Sequence, residues 1–189
     1  MKKKLNAKAI LIPTVSLFLI CLVVTALLAL TDNATAKKIA ENEAKSKQES
    51  MFSVLPGAAD FDEIEADVMY LGKDKDGKTV GYAISTASQG YGGQVKVMTG
   101  IGTDGSIVGV DVFYNDDETP GLGKNTSKES FRDQYKGLSA KESISVSKDS
   151  SSGQTVDAVT SATISSRAVT KAVNEACQLY NDYSQKEAK

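Results

Sequence analysis

The feature that most constrains this chain is an uncharged run. Ala9 to Leu30 spans 22 residues without an Asp, Glu, Lys or Arg. At a helical rise of about 1.5 Å per residue, that length matches the roughly 30 Å hydrocarbon core of a bilayer. Met1–Lys8, just before it, carries four lysines and no acid. The positive-inside bias puts that end in the cytoplasm and everything after Leu30 on the other side. Pro13 falls in the first turn or two, where its cost to a helix is lowest. A cleaved signal peptide is the rival reading, because Ala34-Thr-Ala36 has small-residue spacing. The apolar run exceeds the roughly 7–15 residues of a signal core, however, so the expectation is an uncleaved single-span anchor. Cys21 follows Ile20 in mid-run, which does not suit a lipoprotein site.

The expected organisation is therefore a tail (1–8), a transmembrane helix (9–30), a juxtamembrane helical stalk (31–52), a folded domain (53–184) and a short tail (185–189). The stalk from Ala34 to Met51 is rich in Ala, Glu, Lys and Gln, with Ile39 as its only branched aliphatic residue. With 189 residues in all, there is room for one anchored domain. A net charge of −2 argues against a nucleic-acid surface. The sequence has no His, which excludes Ser-His-Asp catalysis and His-based metal sites. No catalytic residue and no metal site is assigned. Cys21 and Cys177 would lie in lipid and in the domain, so no pairing is expected between them.

In the domain, Asp67–Leu71 and Thr79–Ser85 flank an Asp-Gly turn, a hairpin signal. Gln94–Ile101 and Ile107–Tyr114 form a second hairpin across Asp104-Gly105. Two adjacent hairpins with no helix between them imply an antiparallel sheet and an α+β class. Lys128–Tyr135 reads as a short helix, Ser143–Ser147 as a fifth strand and Lys148–Thr155 as a polar loop. From Ile164, apolar residues recur at Ala168, Val169, Ala172, Val173, Ala176, Leu179, Tyr180 and Tyr183. That is the stripe of an amphipathic helix running from about Thr163 to Tyr183.

Two stretches are candidates for chemistry. Thr160, Ser161 and Thr163 place three hydroxyls at the start of the last helix, where unpaired N–H groups and a positive dipole favour an anion such as phosphate. The plain alternative is an ordinary N-cap. In Asn115–Asn125, Gly121 and Gly123 would let the backbone approach a flat or anionic ligand. Thr119, Leu122 and Lys124 would supply hydroxyl, apolar and cationic contacts, with Glu118 opening the motif. Here the plain alternative is a solvated Pro-Gly turn.

Three motifs occur in one order: Gly90-Tyr-Gly-Gly93 before a Val-rich strand, Glu118-Thr-Pro-Gly-Leu-Gly123, and Asp157-Ala-Val-Thr-Ser-Ala-Thr163. With the anchor, they resemble the G subunit of the Rnf ion-translocating ferredoxin:NAD oxidoreductase. The related C subunit of the sodium-translocating NADH:quinone oxidoreductase carries a similar flavin-binding domain. The resemblance implies an FMN-binding domain whose flavin phosphate is esterified to a threonine. The family pattern Ser/Thr-Gly-Ala-Thr-x-Ser/Thr reads here Thr160-Ser-Ala-Thr163-Ile-Ser165, so Thr163 is the implied attachment residue. Thr160, Ser161 and Ala162 are the implied neighbours. Asp157 matches the acid that would serve recognition by a flavin transferase.

The implied partners are the other membrane subunits of the complex, that transferase and membrane lipid. The implied role is an electron relay within an ion-translocating complex. Two departures stand out: Ser161 occupies the usual Gly position, and Asp116-Asp117 lie where the family often has a His. The alternatives are a covalent-FMN carrier of another respiratory or extracellular electron-transfer system, and a non-redox envelope module.

Overall fold

The computed structural model describes residues 7–147 and 153–187. Met1–Asn6 of the expected tail, 148–152 of the expected polar loop, and the last two residues lie outside these. The chain divides into two compact units, Met1–Asn42 and Glu43–Lys189. Helix α1, Ala7–Val54, runs through the expected anchor and stalk as one element. Within the first unit its apolar side chains from Ile10 to Leu30 are exposed, including Leu11, Ile12, Leu17, Phe18 and Leu28. So much bare apolar surface on one helix calls for a lipid environment.

The second unit is built on a five-stranded antiparallel meander, in the order β1 (Asp60–Glu65), β2 (Met69–Lys73), β3 (Thr79–Gln89), β4 (Gln94–Gly102) and β5 (Ile107–Tyr114). The two hairpins expected from sequence are β2–β3 and β4–β5, and the α+β class holds. Strand β1 is an addition. Its sequence Asp-Phe-Asp-Glu-Ile-Glu reads as a charged loop because only Phe61 and Ile64 turn inward, and acids of this kind blunt an edge strand. Asp67, expected to begin β2, instead adopts φ 60° in the β1–β2 turn.

After β5 come a helical turn at Gly123–Ser127, helix α2 (Glu129–Arg132) and a further turn at Asp133–Tyr135. Strands β6 (Ile144–Val146) and β7 (Gln154–Val156) then pair in parallel. The end of the expected polar loop is therefore strand. Helix α3, Thr163–Glu187, continues past the expected stop at Tyr183 and through the first three residues of the expected tail.

Both faces of the sheet are covered within this unit. On one face α3 buries Val169, Ala172, Val173 and Ala176 against Ile84, Val95, Val97 and Ile101. Alanines at 168, 172 and 176 repeat every four residues, keeping that contact stripe thin enough for close approach. Thr86 Oγ1 donates to the Ala172 carbonyl across the contact at 2.9 Å. Cys177 shares this core, and burial pushes its thiol up to about 11, so it remains protonated. On the other face the end of α1 packs Met51 and Val54, with Leu55, against Ala83 and Met98. Arg132 of α2 pairs with Asp111 of β5, which also accepts from Ser50 of α1.

Gly100 and Gly109, paired across β4 and β5, make room for the end of α1. A Cβ at Gly100 would overlap the Val54 carbonyl, and one at Gly109 would lie 3.2 Å from Val54 Cα. Gly100→Ala should therefore cost on the order of 1–3 kcal/mol by overpacking against backbone. Thermal denaturation of the full chain in detergent should show a lowered midpoint; an unchanged one would contradict this packing.

Candidate functional site

The three sequence motifs meet at one carboxylate. The loop after β5 turns tightly: Leu122 N–H donates to Thr119 O at 3.1 Å, with Gly121 at φ 78°. This is a type II turn with Pro120 and Gly121 at its centre, as Pro-Gly suggests. It carries Glu118 inward to 2 % exposure. Glu118 Oε1 accepts from the Tyr91 backbone N–H at 2.7 Å. Its Oε2 accepts from Ser165 Oγ, in the first turn of α3, also at 2.7 Å. A Cβ on Gly90 would overlap Oε1, and one on Gly123 would overlap Oε2. Gly92 and Gly93 likewise leave space for Asp117. These glycines seat the acidic loop, and Gly123, expected to approach a ligand, also lies in the lining of the neighbouring cavity.

The start of α3 is set by Ser166. Its Oγ accepts from Val159 N–H and donates to Ala162 O, each at 3.0 Å. Val159 O in turn accepts from Ala162 N–H at 3.0 Å. The resulting tight turn holds Ser161 at φ 60°, the left-handed region where a side chain is strained. Ser161 is the residue that departs from the glycine of the motif.

Beside these elements lies a cavity of about 520 Å³, lined by Tyr91, Glu118, Thr119, Leu122, Gly123, Ser161, Ala162, Thr163, Ile164 and Ser165. Thr163 is half-buried in its wall, and among the described residues its hydroxyl has no hydrogen-bond partner. Tyr91 (71 % exposed), Ile164 and Leu122 give the cavity an apolar, solvent-facing rim. No lysine or arginine is among the lining residues.

The remaining candidates lie elsewhere. Gly121, Asp157 and Thr160 line a second cavity of about 550 Å³, which shares Leu122 and Ser161 with the first. Asp157 is exposed, and its Oδ1 accepts from Ser147 Oγ at 2.7 Å. Lys124 lines neither cavity, and its ammonium lies 3.4 Å from Asp116. Tyr91, Ile164 and Ser165 were not expected as contacts, although Tyr91 lies in the Gly90–Gly93 motif and Ser165 closes the threonine pattern. An aromatic residue inside a glycine loop, where no core position requires one, was the available signal for Tyr91. No group of three or more His, Cys, Asp or Glu able to hold a metal occurs among the described residues.

Comparison with known proteins bears on this arrangement. Residues 90–178 match the FMN-binding domain family, and residues 1–54 match the RnfG N-terminal region. The G subunit of the Na(+)-translocating ferredoxin:NAD(+) oxidoreductase complex of Acetobacterium woodii is 38% identical, over 89% of this chain and 90% of its own length. The chain belongs to the family of Rnf-complex G subunits. The G subunit of the proton-translocating ferredoxin:NAD(+) oxidoreductase complex of Clostridium ljungdahlii is 31% identical over 94% of this chain and 95% of its own. Its counterpart in the ion-translocating oxidoreductase complex of Methanosarcina acetivorans is 35% identical, covering 90% and 94%.

In fold, the chain resembles the crystal structure of the C subunit of Na(+)-translocating NADH-quinone reductase from Parabacteroides distasonis. The TM-score is 0.58 at 19% identity, covering 76% of this chain and 92% of that one. As a member of the Rnf family, with α1 long and apolar enough to cross a membrane, the chain is a single-pass membrane-anchored protein.

Ser161 gives a direct test of the geometry. Ser161→Gly should relieve a left-handed side chain and stabilise the protein by about 1 kcal/mol, a rise of roughly 2–4 °C in midpoint. Ser161→Val should lower the midpoint, and equal melting of all three forms would contradict the assigned backbone.

Proposed function

We propose that this chain is the flavoprotein subunit of an Rnf-type ion-translocating complex, relaying electrons through FMN joined by a phosphoester to Thr163. The observation that carries this reading is the cavity itself: a threonine hydroxyl without a partner among the described residues, at a helix start, under an apolar rim and with no cation in the lining. The volume suits a flat ligand of this size, since ligand pockets run about 300–1,000 Å³. Tyr91, Leu122 and Ile164 would cover the ring system. The free N–H groups at the start of α3 would offset the phosphate charge.

The missing cation favours a covalent link over simple binding. A phosphate held by ion pairing needs Lys or Arg beside it, and this lining offers neither. A bond through Thr163 Oγ1 would hold the group beyond what the helix start alone provides. It also suits a domain on the far side of the membrane from the cytoplasm, where no flavin pool would refill an empty site.

Bound FMN would supply the redox chemistry; the protein positions it and excludes water from its buried side. Electron transfer of this kind needs no general base, which agrees with the absence of His. The chain would act as an electron carrier without a substrate site of its own. Its partners would be the other membrane subunits, a flavin transferase that reads Asp157 and the hydroxyl motif, and lipid around α1.

Thr163→Ala is the test. The protein purified from its host should be yellow, with flavin fluorescence that survives acid precipitation and denaturing electrophoresis. The variant should lose that fluorescence while keeping its fold. Retention of acid-stable flavin by Thr163→Ala would overturn the assignment.

A further inference from the structure

Glu118 is a carboxyl group buried where the lining offers no counter-charge. It is the only ionisable acid or base other than Tyr91 among the residues lining the Thr163 cavity. Both carboxylate oxygens act as acceptors, one from a backbone N–H and one from a hydroxyl. Burying a carboxylate without a cation is costly, and two neutral donors offset only part of that cost. If the fold needed only a loop tie here, a neutral amide could provide most of it. Glu118 also shares the cavity wall with Thr163, so its charge would act on a group tethered there.

We propose that the Glu118 carboxylate is the fixed negative charge that sets the reduction potential of the flavin at Thr163. This rests on the FMN reading above and adds a role for one residue. On reduction the ring takes two electrons with one or two protons from solvent. When it takes one proton, it gains a unit of negative charge, which a nearby carboxylate opposes. Glu118 thus holds the potential down, and Ser165, by donating to Oε2, moderates the effect.

The test is a dithionite titration of the full-length, flavin-loaded protein in detergent, at mildly alkaline pH against a reference dye. Dithionite supplies the two electrons and is oxidised to bisulfite. Glu118→Gln is nearly isosteric, and its amide can donate to Ser165 Oγ once that hydroxyl turns. At a fixed potential, it should raise the reduced-to-oxidised ratio by about tenfold or more, an upward shift of about 30 mV for a two-electron couple. Ser165→Ala leaves the charge less compensated and should shift the ratio the opposite way. Lys124→Met, which removes a charge outside the cavity, should change it much less.

Opposite shifts for Glu118→Gln and Ser165→Ala support the proposal, because a merely structural disturbance would not reverse sign. A loaded Glu118→Gln protein with unchanged potential overturns it and leaves the FMN reading intact. Should Glu118→Gln fail to load, Ser165→Ala decides alone, and an upward shift or no shift overturns the proposal. A wild-type protein without flavin overturns both.

Discussion

Two hydrogen bonds to one buried carboxylate join segments that lie far apart in the sequence. Glu118 ties the loop after β5 to the glycine loop before β4, through Tyr91 N–H, and to the first turn of α3, through Ser165. Glycine is required at 90 and 123 because a side chain there would occupy the carboxylate's space. The spacing of the motifs is thus the imprint of a packing constraint, and the cavity is what remains between the three segments once they are tied. Thr163 reaches that cavity because α3 starts where Ser166 closes the turn. The helix holds its direction because its alanine stripe is pressed onto β3 and β4.

Much of this was legible in the chain. The uncharged run, the two hairpins and the apolar stripe of α3 follow from periodicities that tertiary contacts reinforce. Strand β1 was hidden because an edge strand needs few inward residues and carries acids for its own reasons. Strand β7 was hidden because three residues of Gln-Thr-Val have no period to read. In the site, the hydroxyl cluster and the Pro-Gly turn could be read locally, and Gly121 takes the positive φ that such a turn demands. The burial of Glu118 could not be read, since an acid in an acidic loop looks solvated until three distant segments converge on it. Gly123, read as a place of close approach, lies both against that carboxylate and in the cavity lining. Lys124 was placed by residue type alone, and its ammonium lies beside Asp116, away from the cavity lining.

The physical character of the cavity unites the functional reading. A hydroxyl without a partner among the described residues, an apolar rim, a helix start and a lining without a cation suit a phosphate fixed through that hydroxyl. The strained Ser161 backbone belongs to the same design, because the left-handed turn presents Thr163 at the wall as well as starting the helix. Family membership and the one membrane-length apolar helix among the described residues agree with a carrier fixed at a membrane, where reach and potential matter more than turnover.

The oxygen that bears the flavin is the most direct point of test. Trypsin should release residues 149–167 as one peptide, with Thr155, Thr160, Ser161, Thr163, Ser165 and Ser166 among its competing hydroxyls. Tandem mass spectrometry of that peptide from the native host should find an addition of one FMN less one water, with the fragment series placing it on Thr163. An unmodified peptide, or the same addition on Thr160 or Ser165, would contradict the account.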